Sequence, residues 1–320
     1  MTTERDLPPA PRWVSAASRV IRSLPAGRYR AMNWVPRRSG RPFWAALPDD
    51  LGGLLFRCDL ADPLMREPCL TGRYEPQETA LLMALVGPGA VVVDVGANWG
   101  YFTLASAHLA GSTGRIVSIE ADPNAVRTLE SNVAKNGLTQ VRVVAAAASD
   151  ADETITVRRY GSNQQESSNF GVVLEGAQEG GGASLKIPAR PLDAMLDAAG
   201  IEHVDVLKMD IEGAEARALA GVGRRLAAGA IDWILLELHP AYLRNQGGSA
   251  ADVVAQLESH GFDTWQIDHS PSAHRRAAST DIGAGSLLKP LSAAVDLGDW
   301  PHVLLGRRGV DRRVAGIGRL

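Results

Sequence analysis

The chain has only two cysteines in 320 residues, Cys58 and Cys69. They lie eleven apart, and no second Cys or His motif accompanies them. That pattern argues against a zinc site or a disulfide framework and fits a reducing compartment. No run of 18 apolar residues exists. The best candidate, 80–93, is broken by Gly87, Pro88 and Gly89, so no transmembrane segment is expected. No apolar signal-peptide region follows the N-terminus. These absences lead to the expectation of a cytoplasmic protein. Internal repeats are also missing, and the glycine cluster at 180–182 is local. The dinucleotide fingerprint G-x-G-x-x-G is absent too: after Gly96 come Asn98 and Tyr101, where further glycines would be needed.

What remains is an ordinary globular composition, 45% apolar, long enough for one large α/β domain with additions. The net charge of −3 is unevenly spread. Residues 1–41 hold nine arginines against Glu4 and Asp6, a net of +7, which leaves −10 for the rest. Arg307, Arg308, Arg312, Arg313 and Arg319 make the C-terminal end basic. Such ends can meet nucleic acid, anionic lipid or an acidic protein. Solvated ends that aid solubility are the simpler expectation, and no nucleic-acid partner is expected.

The most informative run is VVVDVGANWGYF at 91–102. Val91, Val92 and Val93 make a short apolar strand, Asp94 ends it, and Gly96 and Gly100 bracket a tight turn into a helical stretch. A strand–turn–helix unit of this kind offers backbone N–H groups and a helix N-terminus to a polar ligand. Twenty residues beyond Gly100, a second strand at 115–119 ends in Glu120, an acid suited to ribose hydroxyls. The competing reading is a sharp structural turn with Asp94 as a helix-side cap.

Around this unit the chain alternates as a doubly wound parallel sheet should. A helix at 78–86 precedes strand one at 90–95, and strand two follows at 115–120. Asp122 caps a helix with Pro123 at its first position and Asn136-Gly137 at its end. Strand three is 141–146. Segments 154–158 and 185–188 then read as a β-hairpin insertion with a polar tip at 161–182, expected to be a mobile cover over a ligand site. Helix 191–198, strand four at 204–209, helix 214–227, strand five at 231–238 and helix 249–260 follow. Strands at 262–267 and 302–306 are expected to close the sheet around a second insertion, 268–300. Upstream, 13–24 reads as an amphipathic helix that packs on protein rather than lipid. Residues 26–50 read as irregular, and 53–58 as a strand.

The motif D-x-G-A-N-x-G resembles the first motif of class I S-adenosylmethionine-dependent methyltransferases. With Glu120 to Pro123, PLDAML at 191–196, KMDIEGAE at 208–215 and LLELHP at 235–240, the chain resembles the FkbM family of such enzymes. The likeness runs from roughly 75 to 308, and Ala121 departs from it where Pro is frequent. The resemblance implies a class I fold: a Rossmann-like doubly wound sheet with a closing antiparallel pair. It also implies S-adenosyl-L-methionine as donor and usually O-methylation of a hydroxyl on a sugar, glycoconjugate or natural-product scaffold. The expected division is an N-terminal extension, 1–74, a methyltransferase domain, 75–310, and a basic tail, 311–320. The acceptor is expected to be a small molecule or glycan, and an oligomer is left open. The rivals are a nucleotide-dependent oxidoreductase, disfavoured by the missing glycines, and a non-catalytic binding module on the same fold.

The expected cofactor residues are Asp94, Gly96, Asn98, Gly100, Tyr101, Glu120, Ala148 and Asp210. Trp99 and Tyr101 either stack on a ligand or simply pack. Methyl transfer needs alignment of donor and acceptor, and an alcohol must also lose its proton to a base. Strand four delivers Asp210 to the carboxyl edge, followed by Glu212 and Glu215, and Lys208 is a candidate partner. Glu215 is read as complementing a helix N-terminus. Strand five ends Glu237-Leu238-His239, with the acid and the His on one face. His239 is therefore the expected base, oriented by Glu237 or Asp210. The alternative is a divalent metal on Asp210, Glu212 and His239.

Overall fold

The computed structural model describes residues 7–24, 27–36, 41–159, 170–172, 184–277, 283–291 and 301–311. Most of the polar hairpin tip (160–169 and 173–183), residues 278–282 and 292–300 of the second insertion, and the basic C-terminal tail beyond Asp311 lie outside the described residues.

The chain enters through α1 (Arg12–Ser23) and α2 (Arg28–Met32). An antiparallel pair follows, β1 (Phe43–Ala46) and β2 (Leu55–Cys58). α1 buries Val14, Ser18 and Ile21, and the Ser18 hydroxyl donates to the Leu70 carbonyl at 2.9 Å. The helix thus packs on α3 (Arg66–Thr71), as its apolar stripe predicts. Two expectations fail here. Residues 26–50 are not wholly irregular, because they contain α2 and β1, and β1 buries Phe43 and Trp44 while pairing with β2. Cys58 and Cys69 are not free: they form a disulfide with Cα atoms 5.7 Å apart. No local motif announces it; tertiary packing of β2 against α3 brings the two thiols together. The cysteines therefore lend no support to a reducing compartment.

The central sheet begins after α4 (Pro76–Leu85). β3 (Val91–Val95), α5 (Tyr101–Ala110), β4 (Arg115–Glu120), α6 (Pro123–Lys135) and β5 (Val141–Ala145) make its first half. The Asp122 carboxylate accepts from Asn124 N at 2.8 Å, which is the cap the sequence predicts. The hairpin insertion is larger than expected. β6 (Ala147–Ser149), β7 (Glu153–Arg159), β8 (Phe170–Val172) and β9 (Ser184–Pro191) form a separate sheet in the order β6-β9-β7-β8.

The second half runs α7 (Leu192–Ala198), β10 (Val204–Met209), α8 (Glu215–Ala220), α9 (Gly223–Ala227) and β11 (Ile231–Glu237). The single helix expected over 214–227 is broken at Gly221. Its carbonyl accepts from Asp193 N at 2.8 Å instead of continuing the helical ladder. α10 (Pro240–Asn245), α11 (Ala250–Ser259) and β12 (Phe262–Ile267) follow, with Ser249 capping α11 as expected. α12 (Pro271–Ala277), β13 (Leu288–Pro290) and β14 (His302–Arg307) end the described fold.

The eight-stranded order is β13-β12-β14-β11-β10-β3-β4-β5. β14 runs antiparallel between β11 and β12, while β11, β10, β3, β4 and β5 are mutually parallel. This is the doubly wound sheet with its closing antiparallel strands, and β13 adds an edge strand the sequence did not disclose. Alternation splits the core into two layers. Val92, Val206, Leu235 and Leu304 face α4 and α5, whereas Val93, Leu207, Leu236 and Val303 face α7, α8 and α11. The strand order reverses between β3 and β10, so the turns after these strands diverge and open a crevice.

Candidate active site

The crevice depends on a close approach of two turns. Gly96 has φ +79°, and a Cβ there would lie 1.8 Å from the Asp210 carbonyl oxygen. Only glycine allows the turn after β3 to run against the turn after β10. Asn98 also adopts positive φ, 48°, and aims its backbone N–H at Glu120 Oε2, 2.7 Å away. Glu120 Oε1 accepts from the N–H groups of Ala121 and Asp122 at 2.8 and 2.7 Å. A carboxylate offers about four lone-pair positions. Three are filled, which orients the group and leaves one acceptor position for a hydroxyl in the cavity that Glu120 lines. Burial pushes this carboxyl up to about 7, against the pull of the backbone donors.

The cavity holds about 340 Å³, within the range of small-molecule sites. Gly96, Asn98 and Glu120 border it, as do Ala146, Ala147 and Ala148 beyond β5. Ile155 and Val157 of β7 and Ile187 of β9 supply another wall, so the hairpin insertion reaches the site. Tyr74 and Glu75 enter from the segment before α4, and Asp210, Glu212, Glu237 and His239 complete the lining.

Three expected cofactor residues stand behind this lining. Asp94 is buried under it and accepts from Thr103 Oγ1 at 2.7 Å. Burial raises its pKa, and the Lys208 charge and the Thr103 hydroxyl work the other way. Gly100 packs against α6, where a Cβ would lie 2.4 Å from Leu129 Cδ1. Tyr101 and Trp99 pack rather than line: Tyr101 meets Phe56, Tyr74 and Phe102, and Trp99 meets Tyr74 edge-on.

The polar centre lies at the ends of β10 and β11. His239 is buried, and its Nδ1 donates to Glu215 Oε1 at 2.5 Å. Glu215 is fully buried and also accepts from Gly213 N at 2.9 Å. Nε2 is directed to a group of acids, with Glu237 Oε1 at 3.7 Å, Glu212 Oε2 at 3.9 Å and Asp210 Oδ1 at 4.0 Å. This corrects two expectations. Glu215 does more than complement a helix N-terminus, and it, rather than Glu237 or Asp210, orients the imidazole. The cause lies in the chain path: Glu212 at φ +52° and Gly213 at φ +98° turn the chain so that Glu215 points inward beneath His239. Burial opposes a charged imidazole, but the Glu215 hydrogen bond and the nearby acids raise the His239 pKa overall.

Lys208 is the partner of Asp210 that the sequence suggests. It is buried, with Nζ 3.8 Å from Asp210 Oδ2 and 4.4 Å from the centre of the Phe102 ring. Burial opposes its charge, yet Asp210, Glu75, Asp94 and Glu237 raise its pKa overall. Burial and neighbouring acids push Glu237 up to about 10, and burial pushes Glu75 up to about 8 against the pull of Lys208. Around neutral pH these two are therefore largely protonated, which relieves the crowding of acids. Asp210, Glu237 and His239 each offer a ligand atom within 4.8 Å of the others, so a cation could also be held there.

Sequence reasoning missed Glu75 and the inward role of Glu215. Glu75 has φ +44° just before Pro76, a strained approach that no local motif signals. Lys208, Asp210 and His302, whose charges act on it, lie more than a hundred positions away.

A family model described as the methyltransferase FkbM domain matches residues 94–264. The AMB antimetabolite synthetase AmbE of Pseudomonas aeruginosa is 32% identical over 206 residues, 55% of this chain and 10% of that protein. The 31-O-demethyl-FK506 methyltransferase FkbM of Streptomyces tacrolimicus is 27% identical over 198 residues, 55% of this chain and 73% of that enzyme. The chain thus spans only a tenth of the synthetase's length but 73% of the FkbM enzyme's. Among solved structures, the methyltransferase FkbM from Methylobacillus flagellatus KT aligns over 75% of this chain and 52% of its own, at 17% identity and TM-score 0.42. Because the family match takes in more than half of the residues, the chain belongs to the FkbM methyltransferase family.

Proposed function

We propose that the protein methylates a hydroxyl of a sugar, glycoconjugate or natural-product scaffold, with His239 as general base. One observation carries this reading: a buried imidazole is locked through Nδ1 on Glu215 and turns Nε2 toward the cavity it lines. The relative whose name specifies 31-O-demethyl-FK506 as its substrate supports oxygen as the methylated atom.

The cradle fits the donor. Gly96 and Asn98 bring the backbone close, and Glu120 keeps one acceptor position for a ribose hydroxyl. Ala146, Ala147 and Ala148 leave room for a flat ring beside them. When bound, S-adenosylmethionine supplies an electrophilic methyl group on a sulfonium. Asp210, held by its backbone N–H on Val95 O at 3.0 Å and paired with Lys208, then has a free edge for the donor's ammonium group. His239 Nε2 takes the acceptor proton, and Glu215 stabilises the resulting imidazolium. Alignment of the reacting groups supplies much of the remaining rate.

The second reading puts a divalent metal on Asp210 with His239 and either Glu212 or Glu237, which would acidify the hydroxyl directly. The clustering of ligand atoms favours it, but Lys208 already provides a cation for Asp210. Chelator treatment separates the two: unchanged turnover supports the base, and inactivation rescued by magnesium or manganese supports the metal. The division into an extension, 1–74, a catalytic domain, 75–310, and a tail, 311–320, belongs to this proposal. So does acceptor selection by the hairpin, whose Ile155, Val157 and Ile187 border the cavity. No helix among the described residues is long and apolar enough to cross a membrane.

A further inference from the structure

Beside the methyl-transfer cavity lies a second cluster that the reaction does not use. Glu78 stands in the first turn of α4, His269 follows β12, and His302 opens β14. Three distant segments thus meet at the carboxyl edge of the sheet. His269 Nε2 and His302 Nδ1 lie 2.7 and 2.9 Å from the same oxygen, Glu78 Oε1. The two imidazole rings face each other with centres 4.1 Å apart. Glu78 is only 2% exposed, and its second oxygen, Oε2, is buried without a hydrogen-bond partner. A buried carboxylate oxygen left unpaired is costly.

We propose that Glu78, His269 and His302 bind one zinc ion that staples the base of the second insertion to the sheet. Two imidazole nitrogens and one carboxylate are a donor set suited to zinc, with the fourth position left to water. Zinc–ligand bonds of about 2.0–2.2 Å place neighbouring tetrahedral ligands about 3.3 Å apart. The observed separations of 2.7 and 2.9 Å need only a few tenths of an ångström of opening. Coordination through both carboxylate oxygens, with Oε2 in the fourth position in place of water, would also give Glu78 Oε2 the partner it lacks. Next to the cluster, a cavity of about 10 Å³ bordered by Glu75, Glu78, Glu237 and His302 is close to the size of one water.

The surroundings have the second layer that metal-bound imidazoles require. With Nδ1 on the metal, His302 turns Nε2 to Glu237 Oε1 at 3.4 Å, an outer oxygen that can accept from it. His269 is 39% exposed at its side chain, which gives the ion a path from solvent. His269 and His302 also flank the insertion, so one ion would tie both of its ends to α4. A plain hydrogen-bonded triad would satisfy Oε1 but leave Oε2 unpaired.

The test uses the full chain with any affinity tag removed. Metal content is measured by inductively coupled plasma mass spectrometry, and chelator-stripped protein is titrated with Co²⁺ as a spectroscopic probe. The expected result is about one zinc per chain, a saturable tetrahedral Co²⁺ spectrum and a higher melting temperature with metal. His269→Ala, a change at a half-exposed position, should lose all three, and Glu78→Gln should lose the metal as well. Asp210→Asn should keep them, which separates this site from the catalytic acids. Metal-free wild-type protein that binds no Co²⁺ would overturn the proposal. So would metal that survives in His269→Ala but disappears in Asp210→Asn.

Discussion

Replacing Glu215 with Gln probes the site most sharply, because it keeps the shape and removes only the charge. Glu215 is fully buried and makes two hydrogen bonds, one from His239 Nδ1 and one from Gly213 N. The bond to His239 becomes charge-assisted when the imidazole is protonated, and such bonds contribute about 1.5–3 kcal/mol. That energy stabilises the imidazolium over the neutral ring, which is why the His239 pKa stands above its ordinary value. One pKa unit corresponds to about 1.4 kcal/mol. Glu215→Gln should therefore lower the His239 pKa, a shift that an NMR titration of the imidazole carbon-bound protons reads directly. The base acts when neutral, so turnover rises with pH through this pKa. In the variant that rise should move to lower pH, with a lower plateau because the base is weaker. Cofactor affinity should hardly change. A His239 pKa that stays in place, or a pH profile that does not follow it, would refute the assignment of Glu215 as the orienting group.

Other consequences can be checked separately. Glu120→Ala should weaken S-adenosylmethionine binding by about one to two powers of ten, from loss of a hydrogen bond to a charged acceptor worth about 1.5–3 kcal/mol; unchanged calorimetry would exclude Glu120. Since this carboxyl sits at about 7 and accepts more strongly when ionised, wild-type affinity should fall as pH drops through 7, and Glu120→Gln should flatten that dependence. Reducing Cys58–Cys69, whose partners are 11 residues apart, should cost about 3 kcal/mol by loop closure, read as a lower melting temperature in reductant. Flotation with anionic vesicles at physiological salt should leave the protein in the soluble fraction, because the stripe of α1 is spent on Val14 and Ile21 packing; co-flotation lost on deleting the first 25 residues would reverse this.

Much of this was legible in the sequence because it is local. β4 and β10 fall where alternation and apolar runs place them, and the caps at Asp122 and Ser249 are short-range chemistry. Gly96, Asn98 and Glu120 come together because a parallel sheet carries successive strand ends to one edge. The illegible features are long-range. The disulfide depends on how β2 meets α3, and Glu75 reaches the site only through a strained turn. The inward turn of Glu215 arises from positive φ at Glu212 and Gly213, which a spacing rule does not see. β13 emerges only because the strand has β12 to pair with.

The central claim is that this cavity moves a methyl group onto a hydroxyl with His239 as the base. The direct measurement incubates wild-type and His239→Ala protein with trideuteromethyl-labelled S-adenosylmethionine and a panel of hydroxylated sugars and macrolides, read by mass spectrometry. The account predicts one trideuteromethyl group on an acceptor oxygen. It also predicts turnover reduced about 10²–10⁴-fold in His239→Ala, with cofactor binding intact and no dependence of turnover on added magnesium or manganese. Near-full turnover in His239→Ala at saturating substrate, or label found only on nitrogen or carbon, would contradict it.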